Sequence, residues 1–274
     1  MGRPRKLVTE KEEKRLRAES DLEYFIELIH PLRLMGNVHR EMIRWWTREG
    51  ASTHQLVLMP RDHGKSAYVA YRVAWELTKD PTLRVLFISS TSNLAIKQLG
   101  FIKSIFTSDI YRMFWPDMVN KDETKREKWT EKEISLDHPK RKKEAIRDPS
   151  IFTAGLTSNI VGLHCDIAVL DDVVVHSNAY LEEGREKVKD QYSLLSSIEG
   201  VGAREWVVGT RYHPKDLYSD LIGMQIESFD ELGRISKRKE IFEVFERRVE
   251  SLGDGTGEFL WPRQQRHDGK WFGF

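Results

Sequence analysis

Two short stretches carry residue types that could handle a phosphate anhydride. The first, "HQLVLMPRDHGKSAYVAY" from His54 to Tyr71, contains Gly64, Lys65 and Ser66 in succession. A phosphate loop of the form G-x-x-x-x-G-K-[ST] works because successive backbone N–H groups and a helix N-terminus converge on an anion. A Lys then adds a point charge and a hydroxyl reaches a magnesium ion. In this chain Met59 stands where the leading Gly of that pattern belongs. The second stretch, "DIAVLDD", ends an apolar run on Asp171 and Asp172 about a hundred residues further on. Two acids at a strand end can hold a metal and orient or deprotonate an attacking water. Each stretch has a bland reading, a chance Gly-Lys-Ser or a strand closed at a solvated loop. Together and in this order they point to ATP and Mg2+. The nucleotide would be bound by Pro60, Arg61, Asp62, His63 and Gly64 of the loop and by Lys65, Ser66 and Ala67 at the helix start. Lys65 would lie on the β- and γ-phosphates and Ser66 on the metal.

Such chemistry needs a strand, a tight turn and a helix in succession. "QLVLM" (Gln55 to Met59) is a short continuous apolar run, as expected for a strand buried on both faces, and "KSAYVAYRVAWELTK" has an apolar stripe at helical spacing. "LRVLFISS" repeats the strand signal, and "TSNLAIKQLGFIKSIFTS" begins with capping candidates before a helical pattern. Upstream, "LEYFIELIHPLRLMGNVHREMIRWWTREG" reads as two helices broken near Pro31. Downstream, "SIFTAGL", "CDIAVLDD" and "REWVVGT" read as buried strands, with a helical segment, "AYLEEGREKVKDQYSLLSSI", before the last of them. "KWTEKEISL" alternates like a hairpin strand, and "MQIESF" is expected to add an edge strand. Strands alternating with helices predict an α/β fold with a mostly parallel central sheet flanked by helices.

The 274 residues suffice for one large α/β domain, and 44 basic against 43 acidic side chains leave a net charge of +1, so any nucleic-acid surface must be local. The candidate is "HPKRKKEAIR", in which Lys140, Arg141, Lys142, Lys143 and Arg147 could meet a DNA backbone or simply form a solvated face. "GRPRK" near the start could grip a minor groove or be a plain basic tail. Residues 1–20 are charge-dense, expected to be disordered, frayed or a solvated helix. The single Cys165 excludes an internal disulfide. No apolar run approaches the ~20 residues that span a bilayer, and the N-terminus lacks the apolar centre of a secretory signal, so a cytoplasmic protein without a membrane partner is expected.

At "PRDHGKS" the sequence resembles the ATPase domain of the large terminase subunit, the DNA-packaging motor of tailed bacteriophages, whose phosphate loop lacks the first Gly and carries an Arg. The resemblance extends through "TAGLTSNIVGLHCDIAVLDDVVV", most like the short-tailed-phage branch, to "VVGTRYH" and "EFLWPRQ", and spans roughly residues 22 to 265. It implies an additional-strand, RecA-like P-loop fold. It also implies that Arg61 acts in cis on the phosphates, Asp171 on the metal and Asp172 as the catalytic carboxylate, with Gly209 and Thr210 coupling hydrolysis to movement and Thr210 beside the hydrolysed phosphate. The implied assembly is a homo-oligomeric ring, pentameric by resemblance, acting on double-stranded DNA with a portal protein and a small terminase subunit, in the host cytoplasm and transiently on the procapsid. Residues 21–265 would form the motor and 266–274 the start of a linker. The sequence ends before the region where family members carry a nuclease, so no nuclease activity is expected of this chain.

Three departures stand out. Asp172 is one methylene shorter than the family's usual Glu. The Arg-Gly pair that many members place ahead of the acidic strand reads Val161-Gly162, so a trans-acting arginine must come from elsewhere. Arg211 and Arg204 are candidates, each equally readable as a solvated or structural arginine. The family's adenine-contacting Gln has its counterpart in His39, which could bond the base or be a packed helix residue. Two rivals remain: another nucleic-acid-dependent ATPase such as a helicase, and a nucleotide-binding assembly module with little turnover.

Overall fold

The buried strands are apolar at successive positions because helices cover both faces of the sheet they build. In the computed structural model, which describes residues 9–158, 160, 162–229, 235–265, 268–269 and 271–273, side chains alternate between two cores. Val57, Phe87, Val169, Trp206 and Val208 point into one, with Phe25, Met42, Trp46, Val69 and Leu99. Leu56, Leu58, Leu86, Leu170 and Val207 point into the other, with Leu217, Tyr218, Leu221 and Phe242.

In chain order the elements begin with helices α1 (Glu10–Ser20), α2 (Leu22–Ile29) and α3 (Asn37–Thr47). Strand β1 (His54–Leu58), α4 (Lys65–Lys79), β2 (Val85–Ser89), α5 (Ser92–Thr107) and α6 (Asp109–Phe114) follow. Next come β3 (Glu133–Ile134), α7 (Pro139–Lys143), β4 (Ile151–Gly155), β5 (Cys165–Asp171), α8 (His176–Ala179), α9 (Glu182–Ser193) and β6 (Glu199–Gly209). The chain closes with α10 (Leu217–Gly223), β7 (Gln225–Phe229), β8 (Ile235–Glu240), β9 (Glu243–Glu246), β10 (Gln264–Gln265) and β11 (Trp271–Phe272). The Asp21 side chain accepts the Tyr24 N–H at the head of α2, and Thr91 accepts that of Leu94 at the head of α5, as their cap-type sequences require.

The main sheet has the order β3-β4-β2-β5-β6-β1-β9. All its pairings are parallel except β3 with β4. One strand, β6, therefore lies between β1 and β5, the additional strand that separates the phosphate-loop strand from the acidic strand. Register aligns Ser89 with Asp171, Asp171 with Val208, and Gly209 with Leu58. The carboxyl ends of four central strands thus form one row, the edge at which open α/β sheets bind ligands.

Two expectations need correction or refinement. "MQIESF" does not edge the main sheet: β7 pairs with β8 in a separate antiparallel hairpin, and β9, whose Phe245 packs into the core, takes the edge beside β1. The charge-dense N-terminal segment is helical from Glu10, tied down where the Trp75 indole N–H donates to the Ala18 carbonyl at 2.8 Å. "GRPRK" and Val161 lie outside the described residues. Among the described residues no helix is long and apolar enough to cross a membrane.

Candidate nucleotide-binding site

Gly64 stands where β1 turns into α4, with φ +71°, a left-handed conformation that glycine adopts without the steric cost other residues bear. A Cβ there would lie 3.2 Å from the Tyr68 ring. The next residue, Lys65, is buried in the first turn of α4, and its ammonium donates to Thr210 Oγ1 at 2.8 Å and lies 3.5 Å from Asp172 Oδ2. The Thr210 hydroxyl in turn donates to the Met59 carbonyl at 3.2 Å, and the Met59 N–H donates to the Gly209 carbonyl at 3.1 Å. The ends of β1, β5 and β6 are therefore stitched together through four of the predicted site residues, Lys65, Asp172, Gly209 and Thr210. Gly209 leaves room for a neighbouring ring: a Cβ on it would fall 2.2 Å from Tyr218 Cζ.

Asp171 is buried, and its Oδ1 has no hydrogen-bond partner. Burial pushes its carboxyl up to about 7, with Asp172 adding to the shift while the Ser66 hydroxyl and Lys65 oppose it. Asp172 has φ +47°, a strained turn that an Asp tolerates better than most residues and that brings its carboxylate to Lys65. It is also pushed upward by burial, against the pull of Lys65, Arg61 and the Thr210 backbone N–H, and its buried Oδ1 is unpartnered. Buried carboxylate oxygens without donors, beside a hydroxyl and a lysine, are what a divalent cation would satisfy. The residues present therefore fit Mg2+ held by Ser66 and Asp171. Among the described residues there is no cluster of three or more His, Cys, Asp or Glu that could hold a metal by protein ligands alone.

Lys65, Ser66 and Asp172 face a cavity of about 580 Å³ lined also by Arg61, Asp62, Gly64 and Ala67, together with Arg33, Gln98 and Phe101, whereas Asp171, Gly209 and Thr210 do not line it. A second cavity of similar volume adjoins it, sharing Arg33, Asp62, Gly64 and Phe101 and walled by Leu32, Leu34, Tyr71 and Trp261. Sequence reasoning missed Arg33, Gln98 and Phe101, which come from the α2–α3 loop and from α5 and carry no local signal. Trp261 lay within a recognised segment without an assigned role.

Other predicted residues lie elsewhere. Pro60 and His63 do not line the cavity, and His63 is buried with Nδ1 2.8 Å from the Arg61 carbonyl. His39 lines neither cavity: its ring is wholly buried, so the proposed base contact is not available to it. Arg204 sits at the far, amino-terminal side of the sheet, its guanidinium donating to Glu76 at 2.9 Å and lying over Trp206, which makes it a structural arginine. Arg211 is exposed just past Thr210 and donates to the Ser219 hydroxyl at 2.8 Å. In the basic cluster, Arg141 is buried and spends its guanidinium on the carbonyls of Pro81, Leu83 and Asp148 at 2.9, 3.2 and 2.5 Å, so it cannot reach DNA. Lys140 is paired with Asp80 at 3.0 Å, while Lys142, Lys143 and Arg147 are exposed. The cluster thus adjoins the amino-terminal ends of β2 and β4, opposite the phosphate cavity.

The additional strand, the glycine turn and the paired acids define the class: a P-loop α/β fold. In sequence, the chain is 28% identical over 166 residues to the large terminase subunit of Enterobacteria phage T3, a match covering 59% of this chain and 26% of that protein. The chain thus spans about a quarter of this relative's length. No protein-family model matches. Among solved structures, the ATPase domain of the Thermus phage P74-26 large terminase shares 12% identity and a TM-score of 0.45, covering 82% of this chain and 84% of that one. The HK97 bacteriophage large terminase shares 13% identity and a TM-score of 0.48, covering 76% of this chain and 40% of that one.

Proposed function

We propose that this chain is the motor domain, residues 21–265, of a viral large terminase: a magnesium-dependent ATPase that drives double-stranded DNA into a procapsid. The observation that carries the reading is that Lys65, Ser66 and Asp172 line one cavity, with Thr210 bonded to Lys65 and buried Asp171 next to Asp172 in the chain, and with two carboxylate oxygens lacking donors. The triphosphate enters that cavity, where the N–H groups of the loop and of the first turn of α4 surround it and Lys65 meets the β- and γ-phosphates. The apolar cavity next door, with Tyr71, Phe101 and Trp261, takes the base.

Before nucleotide arrives, Lys65 is shared between Thr210 and Asp172. Phosphate competes for the ammonium and frees Asp172 to accept a hydrogen bond from the attacking water. The water oxygen forms a bond to the γ-phosphorus, the bond from that phosphorus to the bridging oxygen breaks, and the water proton passes to the Asp172 carboxylate. Ser66 and Asp171 would hold Mg2+, which would supply charge neutralisation for the phosphate oxygens. Arg61, which lines the cavity and whose guanidinium lies 5.3 Å from the centre of the Tyr212 ring, reaches the γ-phosphate in cis. Thr210, bonded to both Lys65 and the Met59 carbonyl, links loss of phosphate to β6, with Gly209 as the hinge that admits Tyr218.

The partners proposed are duplex DNA, a portal protein, a small terminase subunit and further copies in a ring, pentameric by resemblance, in the host cytoplasm and on the procapsid. Exposed Arg211, at the same edge as Thr210, is the arginine offered to a neighbouring subunit. The test is phosphate release by Lys65→Ala. Turnover is expected to vanish, and activity equal to the parent's would remove the assignment. Stimulation by single strands but not duplex would favour a helicase, and saturable ATP binding without turnover in ring-forming conditions an assembly module.

A further inference from the structure

His39 lines neither cavity, yet both of its ring nitrogens are engaged. Nδ1 accepts the Gly36 N–H at 2.9 Å, so it carries no proton. Nε2 lies 2.9 Å from the His63 carbonyl, which can only accept, so Nε2 holds the hydrogen and donates it. From this we infer that His39 is a positioning residue for the phosphate loop: it fixes the His63–Gly64 peptide, and so the direction in which the Gly64 N–H faces the phosphates. The inference rests on the nucleotide-binding reading of the cavity.

The peptide group gives the reason. A trans peptide is planar, with its C=O and N–H pointing in opposite directions. Anchoring the His63 carbonyl inward on His39 therefore turns the Gly64 N–H outward, and Gly64 lines the cavity. Gly64 sits at φ +71°, where its own backbone has the widest choice of conformations, so an external tether is most useful there. The imidazole itself cannot tilt. Tyr68 stacks on one face at 4.6 Å and 24°, Trp261 meets it edge-on at 4.6 Å and 89°, and Tyr68 is in turn held by its hydroxyl donating to the Leu34 carbonyl at 3.1 Å. Burial pushes the imidazole down to about 4, which keeps it in the neutral form this geometry requires.

Binding of ATP and of inorganic tripolyphosphate, which has no base, separates the roles open to His39. Titrations at a temperature where circular dichroism shows the variants folded should find His39→Ala weaker for both ligands by the same factor, about tenfold for one lost orienting hydrogen bond. His39→Gln should recover most of the loss, since one amide supplies an acceptor and a donor on a single side chain. A loss confined to ATP would mean that His39 reads the base, and no loss for either ligand would mean that the tether is idle; each overturns the inference. Should His39→Ala fail to fold, nitrogen-15 spectra of the parent chain decide instead. They must show His39 as the neutral Nε2–H tautomer at pH 6, and the Nδ1–H tautomer would overturn the inference. Lys65→Ala serves as the control: if it leaves both affinities intact, the nucleotide-binding reading fails, whereas weakening there with none in His39→Ala sinks this inference alone.

Discussion

Gly209→Ala is the sharpest test of how the strand ends are joined. The added methyl would fall 2.2 Å from Tyr218 Cζ and Oη and 2.6 Å from Cε2, so ring or strand must move by more than an ångström to reach ordinary contact. Neither has room. Tyr218 is fully buried and its hydroxyl accepts the Val174 N–H at 3.3 Å, while Gly209 is held by the Met59 N–H and by its pairing with Leu58. Overpacking of this kind costs about 1–3 kcal/mol, and with both partners immobile the upper figure is expected. Urea unfolding followed by tryptophan fluorescence would read it directly. Turnover should fall further than stability, because Thr210 follows Gly209 and its hydroxyl holds Lys65; a shift of about 1 Å at a reacting group can cost roughly 100-fold. Removing the obstacle should help: in Gly209→Ala/Tyr218→Ala the two losses should be less than additive by about 1–3 kcal/mol. A single variant within about 0.5 kcal/mol of the parent and retaining full turnover would refute the argument.

Arg204→Gln should lower stability by about 1–2 kcal/mol through the loss of its half-buried pair with Glu76, yet leave phosphate release in ring-forming conditions unchanged. A collapse of turnover at intact stability would instead return Arg204 to the role of a trans arginine. Arg141→Ala should destabilise the fold by about 2–3 kcal/mol, since three carbonyls lose their donor. Lys142→Ala/Lys143→Ala should leave stability unaltered and, if this face meets DNA, reduce the salt slope of duplex binding by about 2; an unaltered slope would exclude these lysines. Glu205 is buried, accepts from the Tyr192 hydroxyl at 3.1 Å and is pushed up to about 8 by burial and by neighbouring Glu199. Between pH 4.5 and 8 the folded chain keeps a proton that the unfolded chain has released, so this group lowers stability as pH rises, by up to about 5 kcal/mol over the window. Glu205→Gln should flatten that part of the profile and stabilise the protein at pH 8, and a denaturation midpoint no higher than the parent's at that pH would contradict the reasoning.

How far the sequence could be read follows from how local each signal is. Strands β1, β2 and β5 and helices α4 and α5 are legible because burial on both faces leaves unbroken apolar runs, and a cap or a glycine marks each boundary. "MQIESF" was misplaced because an exposed hairpin strand and a sheet-edge strand share the same alternation, and only pairing distinguishes them. "KWTEKEISL" did give an antiparallel edge, β3 on β4.

The sequence by itself determined the parts within one turn of Gly64 and at the end of β5, where chemistry depends on residues adjacent in the chain. Tertiary structure decided what depends on contacts between segments far apart in sequence. It placed Arg33, Gln98 and Phe101 beside the phosphate loop, and turned His39 from a base contact into an internal tether. It also moved Arg141 and Arg204 from candidate ligand contacts to structural anchors. A charged side chain looks alike in a sequence whether it faces solvent or a buried carbonyl, and only the folded chain determines which it meets.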